Sequence, residues 1–117
     1  MPDKPTTSTS GRASLAEALQ HLPGPNGERF ATLIQHGSLL IDIYAPRGVE
    51  PQQPHTRDEV YVVISGEGTF FNGETRHPIK PGDVLFVAAG IEHRFEDFSD
   101  DLAVWVMFYG PEGGEAG

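Results

Sequence analysis

The chain contains no cysteine, so disulfide staples and thiolate metal ligands are both closed to it, and a reducing compartment such as the cytoplasm suits it. Basic residues are scarce. Eight Lys and Arg stand against 17 Asp and Glu, a formal charge of −9 with a pI near 4.8. Such a surface repels nucleic-acid backbones and anionic membranes alike, so neither is an expected partner. Long apolar runs are missing as well. The longest, Leu102 to Tyr109, has eight residues, where a membrane-spanning helix needs about 20. The N-terminus also lacks the basic stretch and hydrophobic block of a secretory signal. A soluble, cytoplasmic protein is expected.

What is present reads as one domain, since 117 residues would leave two halves without adequate cores. Residues 1–12, rich in Thr, Ser and Pro, are expected to be a disordered tail. Residues 13–110 form the domain, and the glycine-rich 111–117 is expected to be a flexible C-terminal tail. Ser14 and Glu17 have capping-box spacing, and Leu15, Leu19 and Leu22 recur at helical intervals, which predicts one short helix stopped at Pro23-Gly24. Beyond Arg29 every apolar segment is short, β-branched or aromatic, and bounded by turn residues. Strands are expected in RFATLIQ, SLLIDIYA, EVYVVIS, GTFF, TRHPI, DVLFVA, HRFEDF and LAVWVMFY. Asn72-Gly73 and His36-Gly37 mark tight reversals. The pattern predicts an all-β, antiparallel sandwich or small barrel. The last strand is apolar on both faces, with Trp105, Met107 and Tyr109 opposite Leu102, Val104, Val106 and Phe108. Its outer face therefore needs a cover, either the N-terminal segment or, as preferred here, a second subunit in a homodimer.

One polar constellation stands out. Gln53 and His55 share a face of an extended segment, and Glu59 shares their parity but lies about 13 Å further on in an unbroken strand. The chain must turn at Thr56-Arg57-Asp58 for Glu59 to face back toward His55. His93 opens a later strand after the Ala89-Gly90 turn. Two imidazoles and one carboxylate are the donor set of open-sided non-haem iron sites, and they also accept manganese, nickel or zinc. The same residues can be read as strand-end histidines, with Glu59 pairing to Arg57 or Arg94. By strand parity Tyr61, Val63 and Phe95 share the interior, as core or as walls of a small pocket. His77 is expected to be solvated.

These residues also follow a known pattern. Gln53-Pro54-His55, Glu59 and Gly66, with Gly48 upstream, are similar to the first cupin motif, and Gly82, Ala88-Ala89-Gly90, His93 and Asp97 to the second. The chain thus resembles small single-domain bacterial metal-binding cupins. The resemblance implies an antiparallel double-stranded β-helix, the jelly-roll barrel, with a short N-terminal helix. It also implies one divalent metal ion, Fe, Mn, Ni or Zn, on His55, Glu59 and His93. Gln53 stands where the family has a histidine and offers only a neutral amide oxygen, so it is an optional further ligand. Dioxygenase or isomerase chemistry on a small organic molecule follows by analogy, with Glu59 and Tyr61 as candidate catalytic groups and no separate general base in view. A non-catalytic module binding a metal or metabolite is the alternative, and a metal-free barrel of the sugar-nucleotide epimerase kind fits less well.

Overall fold

Alternating inward and outward residues resolve into nine strands and one helix in a computed structural model that describes residues 6–7, 11–48 and 54–116. In chain order these are β1 (Thr6–Thr7), α1 (Leu15–Leu19), β2 (Phe30–His36), β3 (Leu39–Tyr44), β4 (Asp58–Ser65), β5 (Gly68–Asn72), β6 (Thr75–Ile79), β7 (Val84–Val87), β8 (His93–Glu96) and β9 (Ala103–Tyr109). All eight segments expected to be extended are strands.

The helix begins where its cap predicts. The Glu17 backbone N–H donates to Ser14 Oγ at 3.2 Å, and the Ser14 hydroxyl donates to Glu17 Oε1 at 2.9 Å. Its leucine periodicity misleads, however: the fully buried residue is Ala18, while Leu19 is 38% exposed. With only five residues α1 has no room for a leucine stripe; it packs on β3, and Ala18 is the residue it buries.

The strands form two sheets. The larger runs β1-β2-β3-β9-β4-β7 and the smaller β6-β5-β8. All pairings are antiparallel except that of β1 with β2. The period of two then sorts side chains by face. Glu59, Tyr61 and Val63 on β4, Val104 and Val106 on β9, and His93 and Phe95 on β8 are buried between the sheets. Tyr61, Phe70 and Phe95 are the aromatic centre of this core, with ring centroids 4.9–5.6 Å apart, in range for edge-to-face and tilted contacts.

On the opposite face of the larger sheet, cross-strand register lines up two apolar rows, Val84·Val62·Trp105·Ile43 and Phe86·Val60·Met107·Ile41. The β3 end of one row is covered, since Ile43 is fully buried and α1 packs on β3. The β7 end is not: Val84 is 66% and Phe86 52% exposed. The N-terminal helix accounts for part of the cover that the two-faced strands called for.

The turns refine the expected register. Asn72 pairs with Thr75, so the β5–β6 reversal falls on Gly73-Glu74, one residue later than the Asn-Gly signal. Asn72 serves instead as a tie between sheets, its side-chain amide donating to Phe86 O at 2.9 Å. The β2–β3 reversal likewise falls on Gly37-Ser38, one residue later than the expected His36-Gly37, since His36 pairs with Leu39. In the C-terminal segment, Gly113 N donates to Thr56 O at 2.7 Å and Glu115 N to Asp58 Oδ2 at 2.8 Å. These are backbone donors, which side-chain mass does not report.

Gly66 links β4 to β5 with φ +84°, and an added Cβ would lie 2.6 Å from Leu102 Cα. Gly82 has φ +96° with open space around it. Gly82→Ala is expected to cost about 1–3 kcal/mol for backbone strain alone. Gly66→Ala should cost clearly more, because overlap with backbone atoms adds roughly another 1–3 kcal/mol. Denaturant unfolding of the two variants measures the difference.

Candidate metal centre

His55 sits in the bend ahead of β4, and three backbone acceptors fix that bend. Gly90 N donates to His55 O at 2.7 Å and Gly113 N to Thr56 O at 2.7 Å, while Arg57 Nε donates to Gly110 O at 3.0 Å. Asp58, at the start of β4, accepts from Ala89 N at 2.9 Å and from Glu115 N at 2.8 Å. These two backbone donors stabilise the carboxylate and hold its pKa below the ordinary value. The bend, the Ala88–Ile91 turn and the C-terminal segment are thereby tied to one another.

That scaffold brings three distant residues together. Glu59 on β4 and His93 on β8 are each 1% exposed. His93 Nε2 lies 3.2 Å and His55 Nε2 3.8 Å from Glu59 Oε1. One ligand atom from each residue falls within 4.8 Å of the others. Donors bonded at about 2.0–2.2 Å to one ion lie roughly 3–3.5 Å apart, so the spacing suits a small cation after slight contraction.

The hydrogen bonding points the same way. His93 Nδ1 lies 2.8 Å from Ile91 O, and since a carbonyl only accepts, Nδ1 carries the proton and Nε2 is the atom offered to Glu59. Burial pushes the His55 pKa down, with the nearby His93 acting in the same direction and Glu59 against it. A neutral imidazole is the form that binds metal. Glu59 Oε1 is buried with no hydrogen-bond partner among the described residues. A cation between these lone pairs answers a buried acceptor that would otherwise be costly.

Beside the group opens a cavity of about 420 Å³. Glu59, Tyr61 and Asp42 form its buried end, and Tyr44, Val106 and Phe108 give it apolar walls. Phe30, 54% exposed, also lines it, with Pro46, His55 and the two arginines Arg29 and Arg47. Tyr61 is thus both core and wall, whereas Val63 and Phe95 are core alone. His77 is exposed, as expected. Gln53 lies outside the described residues.

Asp42, Arg29 and Arg47 were not foreseen. Asp42 had a visible signal, a single acid within the apolar strand LLIDIY. It is 8% exposed, and its Oδ1 has no hydrogen-bond partner among the described residues. Burial raises its pKa, a Thr32 hydrogen bond opposes this, and the charge of Glu59 adds to the rise. The arginines had none, because they flank strands whose pairing periodicity cannot supply.

Comparison with known proteins agrees with this architecture. Residues 40–109 match the family model for the cupin domain, a span that includes His55, Glu59 and His93. An uncharacterized Streptomyces coelicolor protein is 33% identical over 89 residues, 74% of this chain and 85% of that protein. The HTH-type transcriptional activator RhaR of Mannheimia succiniciproducens is 29% identical over 87 residues, which are 68% of this chain but 31% of the activator. Among solved structures, the TT1209 protein from Thermus thermophilus superposes with a TM-score of 0.65 at 25% identity, over 84% of this chain and 95% of that one.

An acid whose folded pKa exceeds its unfolded value opposes folding once pH rises above the unfolded value, and the penalty disappears at lower pH, where both states hold the proton. Asp42→Asn is therefore expected to raise the melting temperature at pH 7. The gain should shrink as pH falls toward and below about 4, the range of an unperturbed aspartate. Thermal melts of both proteins across that range check it.

Proposed function

The chain belongs to the cupin-domain family, and from that premise we propose that it holds one divalent metal ion on His55, Glu59 and His93. We further propose that it acts on a small organic molecule in the adjoining cavity, as a dioxygenase or an isomerase. The observation that carries this reading is the convergence of three ligand atoms within 4.8 Å beside a cavity of about 420 Å³. Bound there, iron, manganese, nickel or zinc supplies Lewis-acid or redox chemistry.

The chain's own residues have separate tasks. His93 is oriented through Ile91 O and His55 through the bend that Gly90 closes. Three protein ligands leave positions on an ion for substrate, and Gln53 adds at most a weak amide donor. Tyr61, packed against Phe70 and Phe95, forms a rigid wall that excludes water. Asp42, with its raised pKa and an Oδ1 at the buried end of the cavity, is the group best suited to take a proton from substrate and return it. It fills the place of the general base that the sequence did not offer, leaving Glu59 to remain a ligand.

A second reading, a binding module without turnover, draws on the likeness to part of a transcriptional activator. We place the protein in the cytoplasm, without nucleic-acid or membrane partners, in keeping with its acidic, cysteine-free sequence. No described helix is long and apolar enough to cross a membrane.

Elemental analysis of purified protein is expected to find about one transition-metal ion per chain, with at least tenfold weaker binding in Glu59→Ala and His93→Ala. A chain that binds no such ion even after reconstitution would end the metal reading. Dioxygen uptake or product formation over a panel of small molecules, lost in Glu59→Ala, separates enzyme from binding module.

We also propose that the uncovered apolar rows on the larger sheet pack against a second copy. Light scattering should show a dimer for the native chain and a monomer for Phe86→Asp.

A further inference from the structure

Of the basic side chains, Arg12, Arg76 and Arg94 pair with glutamates. Among the described residues, Arg29 and Arg47 have no carboxylate within ion-pair distance. Arg29 Nε donates to Ala45 O at 2.8 Å, and Arg47 donates through one terminal nitrogen to the same Ala45 O at 3.3 Å and to Pro46 O at 2.9 Å. Two guanidinium groups that share one carbonyl oxygen are close neighbours. Burial and the neighbouring Arg47 both push the Arg29 pKa down.

Both arginines line the cavity that Glu59 and His55 also line. Among the described residues each spends only part of its fork on backbone carbonyls, which leaves further N–H donors for a planar or tetrahedral oxyanion. Apart from Asp42 at the buried end, the remaining wall is aromatic and aliphatic, with Phe30, Tyr44, Val106 and Phe108. A bare inorganic ion would leave that surface unused, whereas an organic body would cover it.

We infer that the ligand of this cavity is a small organic anion, its carboxylate or phosphate group clasped by Arg29 and Arg47 and its apolar body lying along Tyr44 and Phe108 toward the His55–Glu59–His93 group. The inference rests on the reading of that cavity as the substrate site.

The test is calorimetric titration of the full-length chain, as purified and after chelator treatment, with 4-hydroxybenzoate, phenyl phosphate and the neutral 4-hydroxybenzamide. At least one anion should bind about tenfold or more tightly than the amide in both preparations, the scale of a lost charge-assisted hydrogen bond. Which anion is preferred distinguishes carboxylate from phosphate. Arg29→Gln combined with Arg47→Gln should abolish the preference while keeping the native metal content. Arg47→Lys should retain part of it, since charge survives and the fork does not. Equal or absent binding of anions and amide by the native chain overturns the inference without reference to any variant, as does a preference that persists in the double variant. Metal content is measured separately, so a metal-free chain that still selects anions would sink the proposed function and leave this inference standing.

Discussion

The burial of one carboxylate sets the terms for the rest of the molecule. Glu59 keeps 1% of its surface in solvent and sits in a sandwich whose other inward residues on β4 are Tyr61 and Val63. Removing a single charge from water costs several kcal/mol even after relaxation, a large share of the roughly 5–15 kcal/mol that usually separates folded from unfolded domains. An apolar residue there would pack without that cost. The carboxylate is stabilised only if positive charge lies close to it, and His55 and His93 are the neighbours that direct nitrogen atoms at Oε1. Two imidazole nitrogens and a carboxylate make this a group that can hold a cation, and Tyr61, Phe70 and Phe95 belong to the core packed beside it.

Precision in such a site comes from what fixes its ligands. His55 lies on a bend rather than on a strand, so its position depends on backbone contacts with Gly90 and, through Thr56, with Gly113. Asp58 joins the same two segments through its carboxylate. The C-terminal residues 110–116 therefore belong to the scaffold of the site, although nothing in their side chains suggests it. That segment is hydrogen-bonded to the His55 bend at Thr56, Arg57 and Asp58, and Asp58 in turn to the Ala88–Ile91 turn ahead of His93.

Much of this was legible in the residues alone. Strands appeared where short β-branched runs lay between turn residues, because a period of two with turn punctuation has few other solutions. His55, Glu59 and His93 were singled out as two imidazoles and one carboxylate, and chiefly by their place in two motifs that resemble those of cupins, since spacing alone also allowed strand-end histidines. Other features depended on pairing that periodicity cannot supply. Ala18 is the residue that α1 buries, because a five-residue helix has no room for a leucine stripe. Asp42 reaches the cavity because β3 pairs with β9, placing it opposite Val106, next to Tyr61 on β4. Arg29 and Arg47 meet because both reach Ala45 O, a contact between the entry to β2 and the exit from β3 that no local pattern encodes.

The charge distribution that results differs between surface and cavity. Outside, the chain carries a formal charge of −9. Inside the cavity, Arg29 and Arg47 match Glu59 and Asp42 in number, and burial raises the pKa of Asp42. The outer field attracts metal cations and repels anions, but it fades over about 8 Å at physiological ionic strength. An anion that crosses this distance meets fixed donors in a medium of lower dielectric, where each contact is stronger than in water. Salt would then act in opposite senses on the two steps, easing approach through the acidic shell while weakening the clasp only where the arginines remain exposed. Affinity in such an arrangement is decided by a few buried or half-buried groups, and net charge says little about what the cavity holds.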